Sequence, residues 1–214
     1  NRMNEYMVAQ ATQGFADTIA EMGEDAKKAG VAISYDVRHK SEEFAKITAE
    51  VFAANGIKVY IYKEIEPTPV LSYTVRHLKT AAGVMITASH NPMEYNGYKA
   101  YNAEGSQILD ETADKILGHI AEHPDFFEIP RIDFEKGLAD GIIEWVPDSV
   151  VEDYVKEILA CTINEDVDKD INIVYTPLNG TGNKLVRRIL DERGFKNIHV
   201  VAEQENPDPD FTIV

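Results

Sequence analysis

The stretch "GVMITASHNPMEYNGYK", residues 83–99, is an apolar run that ends on hydroxyl, imidazole and amide side chains. In an open α/β sheet, ligands bind in the crevice beyond the carboxyl ends of the strands. Ser89 falls at such an end, held behind Val84, Met85 and Ile86. Pro92 biases Asn91 away from helical torsions, so the chain must turn sharply just after the serine. Such a turn exposes a hydroxyl and can aim backbone N–H groups at an anion. Thr87, Ser89 and Asn91 could equally do no more than satisfy the turn, as side chains of these types commonly do.

Other residues invite chemistry and carry less of it. Asp36 and Arg38 follow the first predicted strand, at the sheet edge where Ser89 should sit. They could form an ion pair that fixes the turn, or Arg38 could support the loop or a phosphate. His119 and His123 stand four apart, a spacing that can hold zinc on one helix face. They lack a third ligand and Pro124 ends the helix, so a solvated helix terminus is expected. "NGTG" (179–182) before a helix could cradle phosphate, but it is no Walker or dinucleotide motif and reads as a tight turn. Asp208 and Asp210 look like half of a metal loop and are assigned no metal.

The elements that must position Ser89 follow from periodicity. Met7, Ala11, Phe15, Ile19 and Met22 recur at helical spacing, predicting a long first helix with Gly30 as its terminator. "VAISYD" (31–36) and "IKVYIY" (57–62) are β-rich runs. Between them Ser41 is expected to cap a helix with Phe44, Ile47 and Val51 inward. Thr68 followed by Pro69 predicts another cap, opening a helix with Val70, Thr74, Val75 and Leu78 inward. Gly83–Thr87 is the next strand. "YKAYN" and "SQI" suggest a hairpin, and Asp110 a cap on a helix to about residue 122. Residues 123–147 hold three prolines and no sustained periodicity, and read as an inter-domain connection. Asp148 then caps a helix, and residues 171–201 form a βαβ unit. Strands alternating with helices predict a three-layer α/β/α sandwich with a largely parallel, mixed sheet. Domain one is expected over residues 1–130, a linker over 131–147, and part of a second, similar domain over 148–214. The closing "FTIV" reads as a strand entered and abandoned, and the absence of an initiator methionine suggests an excised segment.

Composition narrows the partners. A chain of 214 residues with a net charge of −16 repels phosphate backbones, disfavouring nucleic acid. No apolar stretch approaches the roughly 20 residues needed to cross a bilayer. A single cysteine, Cys161, allows no internal disulfide, and no signal-peptide pattern is present, so the cytoplasm is the expected compartment.

The stretch "TASHNPMEYNGYK" resembles the phosphoserine loop of the α-D-phosphohexomutase family, which includes phosphoglucomutases and phosphomannomutases. Thr87 through Pro92 match without a gap, and Asn96, Gly97 and Lys99 come after them at the family's spacing. "NRMNEY", "YDVRHKS", "PTPVLSYTVRHL" and "TPLNGTG" extend the similarity along the chain, closest to the phosphoglucomutase and phosphopentomutase branch. The resemblance implies that Ser89 carries a phosphoryl group. That group passes to a sugar monophosphate, and after the bisphosphorylated intermediate reorients, the other phosphoryl returns to the serine. It implies Mg2+ on the phosphoserine oxygens, His90 as hydrogen-bond donor or proton shuttle, and Lys99 as general acid/base. It also gives Asn91 and Arg38 as support for the loop and phosphate.

Absent are the family's opening glycine- and arginine-containing stretch, its D-x-D-x-D-R metal loop, its sugar-recognition loop and its C-terminal phosphate-binding domain. The expected partners are therefore a phosphorylated sugar and C-terminal domains of the same parent chain, and the 214-residue segment alone is expected to be inactive. Glucose 1-phosphate and glucose 6-phosphate are the expected pair. Mannose or pentose phosphates, or a noncatalytic scaffold role, are the alternatives.

Overall fold

The computed structural model describes residues 3–213. Strands β1 (Val31–Tyr35), β2 (Val59–Ile61), β3 (Ala82–Ile86), β4 (Tyr98–Asn102) and β5 (Ile143–Trp145) form one sheet in the order β4-β3-β1-β2-β5. Neighbours are parallel except β4, which runs antiparallel to β3 with Met85 opposite Lys99. Every residue of β1 and β3 is buried. This explains their near-continuous apolar sequences, since a strand covered on both faces has no polar side to show.

Strand alternation sorts the core into two faces. Val31, Ile33, Val84 and Ile86 meet Phe15, Ile19, Phe44 and Phe52 from α1 (Glu5–Glu21) and α3 (Ser41–Ala54). Ala32, Met85 and Tyr101 meet Leu71 and Val75 of α4 (Thr68–Leu78) on the other side. Each large side chain fully buried here stabilises the fold by about 1.5–3 kcal/mol. The result is the expected α/β/α layering. A short helix α2 (Glu24–Ala29) precedes β1, and α5 (Asp110–Glu122) packs on α1.

Several boundaries differ from the sequence reading. The first helix breaks at Gly23, whose φ of 96° is left-handed, and Gly30 terminates α2 instead. Ser41, Thr68, Asp110 and Asp148 are first residues of their helices, and the preceding residues Lys40, Pro67, Leu109 and Pro147 hold the cap positions. None of these four helices has a side-chain cap. The two aspartates still place negative charge at the helix dipole's positive end. The predicted hairpin reduces to β4 and one bridge, Tyr101 with Gln107.

The stretch read as a linker is not a bare connection. It contains α6 (Phe134–Ala139) and β5, and β5 pairs with β2 to become an edge of the main sheet. From there α7 (Asp148–Ala160) leads to β6 (Asn172–Tyr175), α8 (Asn183–Glu192) and β7 (Asn197–Val200), with β6 and β7 parallel. Val70, Val146, Val150, Val155 and Leu185 join α4, α7 and α8 in one apolar cluster. Residues 211–213 of "FTIV" form no strand, and Val214 lies outside the described residues.

Candidate functional site: a serine turn at the carboxyl edge of the sheet

Thr87 follows β3 inside the buried run, which ends at Ala88, and fixes the turn beyond it. Its Oγ1 donates to Asp36 Oδ2 at 2.6 Å and accepts the Ser89 N–H at 3.0 Å. Ser89 adopts a left-handed φ of 59°, a conformation that costs a non-glycine residue about 1–2 kcal/mol. The Asn91 N–H closes the turn on Ala88 O at 3.1 Å. The Ser89 and Asn91 amides thus serve the turn itself and are not aimed outward at an anion. What the strain achieves is exposure: Ser89 and His90 stand in solvent at the tip, with Ser89 Oγ 3.3 Å from His90 Nδ1.

Arg38 organises this turn from beneath. Asp36 accepts from the Arg38 N–H at 3.0 Å, Arg38 Nε at 3.1 Å and Ser41 Oγ at 2.8 Å, in addition to Thr87. The outer nitrogens of Arg38 donate to the carbonyls of Pro92 (2.8 Å), Tyr95 (2.9 Å), Ser89 (3.0 Å) and Asn91 (2.6 Å). A guanidinium has five N–H donors, and five acceptors surround this one. Its side chain is 2% exposed, so no donor remains for a phosphate. The ion pair and the loop support, posed as alternatives by the sequence, are one arrangement.

Asn96 ties the returning chain to the same hub. Its Nδ2 donates to His39 O at 3.1 Å and Ser41 Oγ at 2.8 Å, while its Oδ1 accepts the Gly97 N–H. Gly97 O in turn accepts the Thr87 N–H at 2.9 Å. Ser41 was expected as a helix cap, but it is the first residue of α3, and its hydroxyl donates to the charged Asp36 instead of accepting a backbone N–H. Lys99 is half-buried on β4, two residues beyond Gly97. The fold brings it to the base of the loop without a bond to Ser89 or His90.

The histidines and aspartates weighed for metal are each engaged by neighbouring groups. His119 bonds Glu122 and Glu21, and the Glu122 carboxylate raises its pKa above the ordinary value. His123 lies 2.6 Å from Asp17. The Asp208 carboxylate is occupied by the Asp210 and Thr212 amides and the Thr212 hydroxyl. Among the described residues no three His, Cys, Asp or Glu side chains converge on a metal position. Two features escaped the sequence reading. Thr87 and Ser41 work through partners distant in sequence. Phe211, whose ring lies 5.0 Å from the Arg38 guanidinium, sits in no periodic pattern.

Residues 1–125 match the family model for phosphoglucomutase/phosphomannomutase α/β/α domain I, and residues 152–214 match that for domain II. The chain belongs to the phosphoglucomutase/phosphomannomutase family. A phosphoglucomutase of Staphylococcus epidermidis is 38% identical over 217 residues, covering all of this chain and 38% of that protein. A phosphopentomutase of Mus musculus is 34% identical over 224 residues, covering all of this chain and 36% of its own length. A solved Thermus thermophilus structure bearing the phosphomannomutase name superposes with a TM-score of 0.79 at 25% identity, over 99% of this chain and 44% of its own. The chain therefore spans well under half the length of these relatives. Residues 1–125 hold every side chain and carbonyl of the Ser89 turn described above.

Proposed function

We propose that the protein is a sugar-phosphate mutase acting through a phosphoserine at Ser89, with glucose 1-phosphate and glucose 6-phosphate as the exchanged pair. The observation that carries this reading is the held serine turn: a strained, solvent-facing Ser89 on a loop whose carbonyls are gripped by a buried Arg38–Asp36 pair. Phosphoryl transfer depends mainly on positioning and charge neutralisation, and a rigid carrier supplies the positioning. The names of the relatives matching the whole chain favour glucose phosphates, with pentose phosphates next.

In the proposed reaction the bond between phosphorus and Ser89 Oγ breaks as a sugar hydroxyl oxygen bonds to phosphorus. The hydroxyl proton leaves to a base, for which Lys99 is proposed, and the serine oxygen is left to be rephosphorylated from the other sugar position. His90, within reach of Ser89 Oγ, donates to a phosphoryl oxygen or holds a proton there. Mg2+ is part of the proposal as the neutraliser of charge on phosphoserine oxygens. The described residues by themselves offer it no closed set of ligands, so Ser89's phosphoryl oxygens are the only contribution proposed from this chain. No described helix is long and apolar enough to cross a membrane. A cytoplasmic location is proposed on the cysteine usage noted above.

Phosphopeptide mapping after incubation with glucose 1,6-bisphosphate and Mg2+, on the protein including the sequence beyond Val214 that the relatives possess, tests the reading. Phosphate on Ser89, lost in Ser89→Ala, is expected. An unmodified Ser89, under conditions that phosphorylate a known mutase, rejects it.

A further inference from the structure

The guanidinium that holds the Ser89 turn is itself covered by a residue from the far end of the chain. Phe211 lies with its ring 5.0 Å from the centre of the Arg38 guanidinium, within cation–π range. Next to it, His39 Nε2 and Asp210 Oδ1 are 2.6 Å apart. The two contacts differ in weight. His39 and Asp210 are both more than half exposed, and such pairs contribute little. Arg38 is buried, so an aromatic face over it acts with little screening and keeps water from competing for its carbonyl partners.

Phe211 is held in place at a cost. Its φ of 47° is left-handed, a strained conformation for a bulky residue. Asp208 imposes it by accepting the Asp210 N–H, the Thr212 N–H and the Thr212 hydroxyl, while Asp208 O accepts the Phe211 N–H at 3.2 Å. That loop is in turn anchored to the β6–α8 turn. Asn179 Nδ2 donates to Asn206 O at 2.8 Å, and Asn179 O accepts the Asp208 N–H. Beside these contacts the two parts leave an open groove of about 590 Å3 between Asp36–Lys46 and Pro207 and Pro209. At the Arg38 edge the contact therefore runs through Phe211 and Asp210, while α8 packs on α7 and α4 through the cluster around Leu185.

We propose that Phe211 is a positioning residue for the serine turn: its ring holds Arg38 against the carbonyls of Ser89, Asn91, Pro92 and Tyr95, and so makes the geometry of Ser89 depend on where the β6–α8–β7 unit sits. The inference builds on the phosphoserine reading for its significance, but the contact can be tested without any phosphoryl transfer. Strain kept at this position is the kind that persists where surrounding structure over-determines it.

Amide hydrogen exchange on the 214-residue chain reads the effect directly. The reporters are the Ser89, Asn91, Tyr95 and Gly97 amides, all hydrogen-bonded within the turn. Phe211→Ala is expected to speed their exchange roughly 30-fold, the size of a desolvated cation–π contact, while the β1 and β3 amides in the same sample stay unchanged. Phe211→Tyr, which keeps an aromatic face, is expected to restore protection. Unchanged turn amides in Phe211→Ala would overturn the proposal, and so would faster exchange spread equally over β1 and β3, which marks general destabilisation. A failure of Phe211→Tyr to restore protection would also overturn it, because the ring face would then not be the agent. Loss of the phosphoserine reading would leave all these outcomes legible, since none requires Ser89 to be phosphorylated.

Discussion

Arg38 concentrates more of the site's structure than any other side chain, and its replacement separates charge from shape. Arg38→Ala leaves the Asp36 carboxylate buried without its cation, a change expected to cost about 3–5 kcal/mol. Arg38→Lys keeps the charge but gives up the planar fork that reaches four carbonyls, and is expected to cost about 2 kcal/mol. Urea unfolding of both variants checks the order. If lysine proves as stable as arginine, the carbonyl contacts contribute nothing measurable. Much of this was legible at the residue scale: Ser89 behind an apolar run, Pro92 forcing the turn, and Asp36 and Arg38 at the same edge. What stayed hidden was the direction of each bond. Nothing local says that Thr87 turns to Asp36, or that all five donors of Arg38 are spent on protein.

At the scale of elements, the turn depends on how closely β3 and β4 approach at their open end. Gly97 sits there because a Cβ would meet Thr87 O at 2.6 Å, a backbone atom that cannot swing aside. Gly97→Ala is expected to part the strands at the Thr87–Gly97 bond and destabilise the protein by about 1–3 kcal/mol. Thermal unfolding reads the loss, and faster exchange of the Thr87 amide shows that it arises there. A variant as stable as the parent, with Thr87 still protected, would mean the strands have slack. Element types were largely readable from periodicity, because β1, β3 and the faces of α3 and α4 are buried enough to impose a pattern. Three-residue β5 offered no such pattern between Gly141 and Pro147, and only its pairing with β2 reveals it as part of the main sheet. The cap expected at Ser41 was misplaced by one residue for a related reason. At Ser41, and in the turn at Thr87, short polar side chains serve partners brought in by the tertiary fold.

The molecule as a whole carries a net charge of −16, and one carboxyl group sits where that charge is hard to bear. Glu66 follows β2 and faces a cavity of about 450 Å3 that also meets Glu64, Asn183, Lys184 and Glu205, between the main sheet and the β6–α8 unit. Burial pushes its pKa up to about 7, Glu64 adds to the rise, and Lys184 opposes it. With the folded value above the unfolded one, the folded state holds the proton more tightly. Glu66 therefore contributes stability that is fully present below about pH 4.5 and is lost as pH rises through about 7. Glu66→Gln removes that titration while keeping the side chain's size. Relative to the parent, the variant is expected to gain about 1 kcal/mol between pH 5 and pH 8, less than the full shift converts to because Glu66 retains contact with water. Urea unfolding of both proteins at the two pH values, at fixed ionic strength, isolates the effect, since general self-repulsion rises almost equally in each. A difference that is the same at both pH values would mean that Glu66 titrates as an ordinary surface carboxyl and that the space between the two units is filled with water.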